Sequence, residues 1–189
     1  MTSYDKIILK YYPRETLRYR IYMPHCRAVT ELALKIARLH PELGADLEKL
    51  ELGGMLHDIG IYLTDSPDFG CFGELPYIMH GFKGRQLLEK EGLKETALVC
   101  ERHIGVGITL KDIEERNLPL PKRDMTPQTI EEKLICYTDK FFSKSASDLM
   151  LPKPLDKVKR SISKHGQDKW KIFEGMIEMF GTDLVYDYK

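Results

Sequence analysis

The sequence predicts an all-α fold, and three observations carry that prediction. Apolar residues recur at three- and four-residue spacing through most of the chain, as the buried stripe of a helix requires. Pro and Gly cluster between the periodic segments, where they act as stops. No series of alternating polar and apolar residues suggests a sheet, and no internal repeat or low-complexity tract interrupts the pattern.

The elements follow in order. Ile7-Ile8-Leu9 is a short apolar run that fits helix or strand. The first strong pattern spans 24–39, where His25, Val29, Leu32, Ala33 and Ile36 share one face and Pro24 stands in the opening turn. Pro41 and Gly44 end it, and a second helix is expected at 46–57. Gly53-Gly54 inside that helix costs helicity and points to close contact with a neighbour. Residues 64–79, with Pro67, Gly70, Gly73 and Pro76, read as a loop. Helices are expected at 79–91, stopped by Gly92, and at 94–103, followed by a turn at 104–107. Thr109 to Asp112 has the form of a capping box opening a short helix to Asn117, which Pro119 and Pro121 end. A strong helix is expected at 129–147, and two more at 155–165 and 168–180 after Pro152 and Pro154. The expected organisation is a single domain over 1–189, with a helical extension at about 152–181 packed onto it.

Composition sets the class. The chain has 189 residues, 42% hydrophobic and 31% charged, with 29 basic residues against 29 acidic. That balance fits a globular protein and argues against a dedicated nucleic-acid binder, so no nucleic-acid partner is expected. No apolar run approaches the roughly 18 residues of a membrane span. The first 15 residues carry Asp5, Lys6, Lys10 and Arg14 and do not resemble a signal peptide, so a cytoplasmic location is expected. Cys26, Cys71, Cys100 and Cys136 are far apart and form no CxxC pair, so they are expected to be free. The basic residues Lys153, Lys157, Lys159, Arg160 and Lys164 are interleaved with apolar ones and read as a solvated amphipathic helix.

The chemistry lies in the histidines. His57-Asp58 stands within Gly54-Met55-Leu56-His57-Asp58-Ile59-Gly60, and His25, His80, His103 and Asp139 fall on or at the ends of other expected helices. Each shares a face with apolar neighbours. His80 has Gly84, Leu87 and Leu88, His103 has Val99 and Cys100, and Asp139 has Ile135, Cys136 and Phe142. Imidazoles and carboxylates directed into a core are expensive unless compensated. A helical bundle lowers that cost when such groups from several helices converge on a metal.

This ordered set resembles the HD-domain metal-dependent phosphohydrolase superfamily in its HDIG-containing form, over about residues 23–147. The resemblance implies a helical bundle with a metal site between its helices. It implies two divalent ions, iron foremost, with manganese, zinc, nickel, cobalt or magnesium as alternatives. One ion would be held by His25, His57, Asp58 and Asp139, and the other by His80 and His103, with Asp58 bridging. Asp58 and His57 are the expected catalytic residues, and a metal-bridging hydroxide would attack phosphorus. The implied substrate is a phosphate ester or anhydride of a nucleotide or small phosphorylated metabolite, and the implied state is a monomer or homodimer. Lys83 and Lys140 are candidate phosphate contacts because they neighbour ligands, and Lys144 because it lies on the same expected helix as Asp139; Lys122 and Arg123 are further cations. Phe69, Phe72 and Tyr77 are aromatic residues available to cover the site. Two departures matter. Ile61 stands where many members carry Lys, and the GYP signature of the cyclic-dinucleotide enzymes is missing. The alternative implied by the same ligands is a mixed-valence di-iron oxygenase resembling myo-inositol oxygenase.

Overall fold

The computed structural model describes residues 2–144 and 150–187. Helices dominate, with one two-residue hairpin among the described residues. Helix α1 (Ser3–Tyr11) resolves the ambiguous apolar run. The Thr2 hydroxyl accepts from the Asp5 amide, and the Asp5 carboxylate accepts from the Thr2 amide at 2.9 Å, forming a capping box.

Helix α2 (Leu17–Leu39) begins seven residues before the expected 24–39 segment. Thr16 caps it by accepting from the Tyr19 amide, so Pro24 lies inside the helix and not in its opening turn. Proline has no N–H for the carbonyl one turn earlier, and tertiary packing of this buried helix offsets the loss. Helix α3 (Leu47–Leu56) is capped by the Asp46 carboxylate, which accepts from Glu48 and Lys49. The glycine pair does bring helices close. A methyl on Gly54 would collide with the Thr30 side chain of α2, and one on Gly53 would lie 3.3 Å from Val99.

The loop at 64–79 contains antiparallel β1 (Asp65–Ser66) and β2 (Cys71–Phe72), with Asp65 opposite Phe72 and Ser66 opposite Cys71. Helix α4 (His80–Lys90) packs on α5 (Lys94–Arg102) and on the turn at 59–63, α5 also packs on α3, and α6 (Leu110–Glu115) carries the expected Thr109–Asp112 capping box.

Helix α7 (Ile130–Asp139) ends well short of the expected 129–147 segment. Past Asp139 the hydrogen bonds shorten to three-residue turns, with Phe141 N donating to Thr138 O and Phe142 N to Asp139 O. The turn buries both phenylalanines and returns the chain towards the centre of the protein. Five more helical residues would instead have carried Lys144 about 7.5 Å further along the axis. Lys144 is therefore not on the helix of Asp139, and residues 145–147 lie outside those described.

Helices α8 (Leu155–Ser163), α9 (Gln167–Phe180) and α10 (Asp183–Tyr186) follow. Their buried faces (Val158, Ile162, Phe173, Phe180 and Val185) belong to the same apolar cluster as Val29 and Leu32 of α2 and Leu134 and Tyr137 of α7. A second cluster joins α1, α2, α3, α4 and α5 through residues such as Ile8, Cys26, Leu56 and Leu88.

Candidate metal centre

Six side chains come together between these helices, all of them buried. His25 lies on α2, next to Pro24. His57 and Asp58 directly follow α3, His80 opens α4, His103 directly follows α5, and Asp139 closes α7. Five of the six therefore sit at helix ends, where backbone groups are left without partners in the helix.

Backbone carbonyls set the imidazoles. His57 Nδ1 lies 2.6 Å from Gly54 O, His80 Nδ1 2.7 Å from Tyr77 O, and His103 Nδ1 2.7 Å from Cys100 O. In each case the carbonyl is three residues earlier. His25 Nδ1 lies 3.3 Å from Ser143 O. A carbonyl oxygen only accepts, so each Nδ1 carries a hydrogen, and a ring in its neutral form turns an Nε2 lone pair inward. The same backbone is braced elsewhere. The Cys100 thiol donates to His57 O at 2.9 Å, and Gly60 passes so close to α4 that a Cβ would strike the His80 carbonyl.

The inward atoms form two sets that share one carboxylate. Asp58 Oδ2 is 3.3 Å from both His25 Nε2 and His57 Nε2, while Asp139 Oδ1 is 3.1 Å from His25 Nε2 and 3.6 Å from His57 Nε2. Asp58 Oδ1 faces the other way, 3.4 Å from His80 Nε2 and 3.3 Å from His103 Nε2. Close as they are, His25 Nε2, His57 Nε2 and both Asp58 oxygens have no partner in hydrogen-bond geometry. His80 Nε2 and His103 Nε2 lie 3.2 Å apart, so two acceptor lone pairs face each other. Orphaned donor atoms aimed at common points fit divalent cations.

The charges are strongly coupled. Burial disfavours ionised Asp58, yet Lys144 and His57 hold it well below the usual carboxylate range. Burial likewise opposes ionised Asp139, and Lys140 and Lys144 hold it low. Burial opposes protonation of His57, but Asp58 and Asp139 outweigh it and lift the ring to about 9. Burial holds His103 down to about 3, against the pull of Asp58. Lys144 Nζ is 3.0 Å from Asp58 Oδ2 and 3.4 Å from Asp139 Oδ1, and Lys140 Nζ is 2.7 Å from Asp139 Oδ2. Burial makes the thiols of Cys26 and Cys100 poor acids, so neither supplies a thiolate.

A cavity of about 420 Å³ adjoins the centre. Asp139, Lys140 and Lys144 line it, as does Tyr77, whose ring lies 4.5 Å from that of His80. Lys83 does not line it. That residue is half-buried on α4, with Nζ 5.4 Å from the Phe82 ring. Lys122 pairs with Glu114 at 3.6 Å and Arg123 with buried Glu101 at 2.6 Å. Phe72 is 79% exposed, and Phe69 lies 5.9 Å from Tyr77. The remaining wall includes Arg116, Lys153, His165 and Lys169. Of these the sequence drew attention only to Lys153, and that as part of a solvated helix. Their assembly depends on α8 and α9 folding over the end of α7, which no local pattern encodes.

The HD domain family model matches residues 22–143. The chain belongs to the HD domain family. This HD domain indicates a metal-dependent hydrolase superfamily, and its buried His/Asp cluster could bind divalent metals. The chain is 40% identical over 118 residues to an uncharacterised protein of Methanocaldococcus jannaschii, a match covering 61% of this chain and 62% of that one. It is 32% identical over 120 residues to proteins named tRNA (cytidine(56)-2'-O)-methyltransferase from Picrophilus torridus and Thermoplasma volcanium. Each match covers 63% of this chain, and 30% and 31% of theirs. The matched region thus spans less than two thirds of each relative. No solved structure matches the chain. No helix among the described residues is long and apolar enough to cross a membrane.

Proposed function

We propose that this HD domain is a two-metal phosphohydrolase acting on a phosphate ester or anhydride of a nucleotide or other small phosphorylated metabolite. The observation that carries the reading is the split of Asp58, one oxygen towards each histidine set, at the edge of a cation-lined cavity. His25, His57, Asp58 and Asp139 would hold one ion, and Asp58, His80 and His103 the other. Iron leads the candidates for a His-rich site, with manganese, zinc, nickel, cobalt and magnesium as alternatives. Such ions supply an acidified water and neutralise charge on phosphoryl oxygens.

The chain's own groups do the rest. The Nδ1–carbonyl contacts fix the imidazole tautomers. Lys140 and Lys144 bring positive charge to the cavity edge, where it favours an anionic ester. Burial of all six ligands excludes bulk water, so these charges act in a low dielectric. Lys140 and Lys144 are better placed than Lys83 to contact phosphate. The cationic lining also favours an anionic substrate over the uncharged polyol of an oxygenase.

The test is metal analysis of anaerobically purified protein, followed by a phosphoester and nucleotide panel under the same conditions. Two ions per chain with anaerobic phosphate release is the expected result. Oxygen consumption with an organic substrate, in the absence of phosphate release, would replace this reading with oxygenation.

A further inference from the structure

The cavity carries more positive charge than the metal centre explains. Five cations (Arg116, Lys140, Lys144, Lys153 and Lys169) line it against two carboxylates, Asp112 and Asp139. Three of the five are matched. Lys140 and Lys144 pair with ligand carboxylates, and Lys169 pairs with Asp112 at 2.6 Å. Arg116 and Lys153 make no ion pair among the described residues. Arg116 caps the end of α6 and is exposed at the cavity rim, its polar contact there being Nη2 at 3.4 Å from His165 Nδ1, a nitrogen rather than an anion. Lys153 is half-buried, and its backbone is pinned to the end of the α7 turn by donation to Phe141 O at 2.6 Å.

Lys153 feels Asp139 only at longer range than an ion pair, and a part-buried ammonium without a direct counter-charge is costly in a folded protein. Burial pushes Lys153 down to about 8, Asp139 pulls against that, and Lys140 and Lys144 push it further down. Between the cations the wall is apolar, built from Val106, Ile108, Val158 and Ile162. A volume of about 420 Å³ is within the range of small-molecule sites, which are largely apolar with a few placed polar groups.

We infer that this wall is a second anion subsite: the substrate carries, besides the phosphoryl group at the metal centre, a further acidic group received by Arg116 and Lys153, joined by a body that packs on the apolar surface. The inference rests on the proposed function, which puts the phosphoryl group at the centre. It also assigns a role to the helices after the matched family region, because Lys153, Val158, Ile162 and His165 all lie beyond residue 143.

The test is calorimetric binding of matched probes to the metal-loaded protein: alkylphosphonates of three to eight carbons, and the same series ending in a carboxylate. One carboxylated member should bind about tenfold more tightly than its plain counterpart, as a charge-assisted pair predicts. Arg116→Gln combined with Lys153→Met should reduce that advantage to less than about twofold, with metal content and thermal transition serving as checks of folding. Lys153→Arg should restore part of it. Equal affinity across every pair, or an advantage that survives the double substitution, would overturn the subsite. Phosphate release is scored separately. A carboxylate advantage without hydrolysis of any ester would retire the hydrolase reading and keep the subsite, whereas hydrolysis without the advantage would do the reverse.

Discussion

The two sides of the cavity handle charge in opposite ways. At the candidate metal centre all six His and Asp side chains are buried and each neighbouring cation faces a carboxylate: Lys144 faces Asp58 and Asp139, and Lys140 faces Asp139. On the wall built by α6, α8 and the segment before it, Arg116 and Lys153 form no ion pair among the described residues. The difference separates a site organised around its own ligands from one whose balance awaits a molecule from outside. The centre is also fixed by backbone, whereas the wall depends on how distant helices dock.

Substitutions should expose that difference, beginning with the centre. Asp58→Ala removes a ligand from both sets, so it should abolish metal binding and lower turnover by roughly a thousandfold or more, given what metal-assisted steps contribute. Elemental analysis and phosphate release measure it, and near-normal turnover in a folded variant would remove the centre from the mechanism. His80→Ala with His103→Ala should leave one ion per chain and cut activity by about a hundredfold. An unchanged stoichiometry of two would refute the division of ligands.

A smaller effect is expected from the scaffold. Gly54→Ala places a methyl against Thr30, so it should destabilise by about 1–3 kcal/mol, as overpacking does, read by denaturant titration. Because the carbonyl of Gly54 holds His57, weaker metal binding should accompany it. The smallest effect belongs to the wall. Lys153 is held at about 8, so its help in binding a carboxylated phosphonate should fade as pH rises through 8. Stability runs the other way. An unfolded lysine keeps its proton to about 10.5, so the unfolded state binds more protons between the two values and the folded state gains from Lys153 as pH rises across that window. Binding and unfolding titrations that move together would contradict this placement.

The centre was legible in sequence and the wall was not, for one physical reason. Helix periodicity and caps are local, so the faces bearing His80, His103 and Asp139 could be read from neighbours three and four residues away. Local reading failed where tertiary demand overrode it. The α7 pattern continues past Asp139, but burial of Phe141 and Phe142 turns the chain, and only that turn brings Lys144 over the carboxylates. Pro24 read as a helix start because the Thr16 cap carries no Glu or Gln at the third helical position to announce it. Arg116 and Lys153 are far apart in sequence and line one cavity only through the packing of distant segments, so no spacing linked them.

Three of the four histidines are oriented by carbonyls of their own chain, three residues back. A ligating imidazole can be oriented by a carboxylate side chain, which can be exchanged, or by a backbone carbonyl. Here the aiming parts are peptide groups, which no point substitution deletes. Re-aiming these three imidazoles would take a change at the helix ends, through proline, glycine or insertion, rather than an exchange of neighbouring side chains.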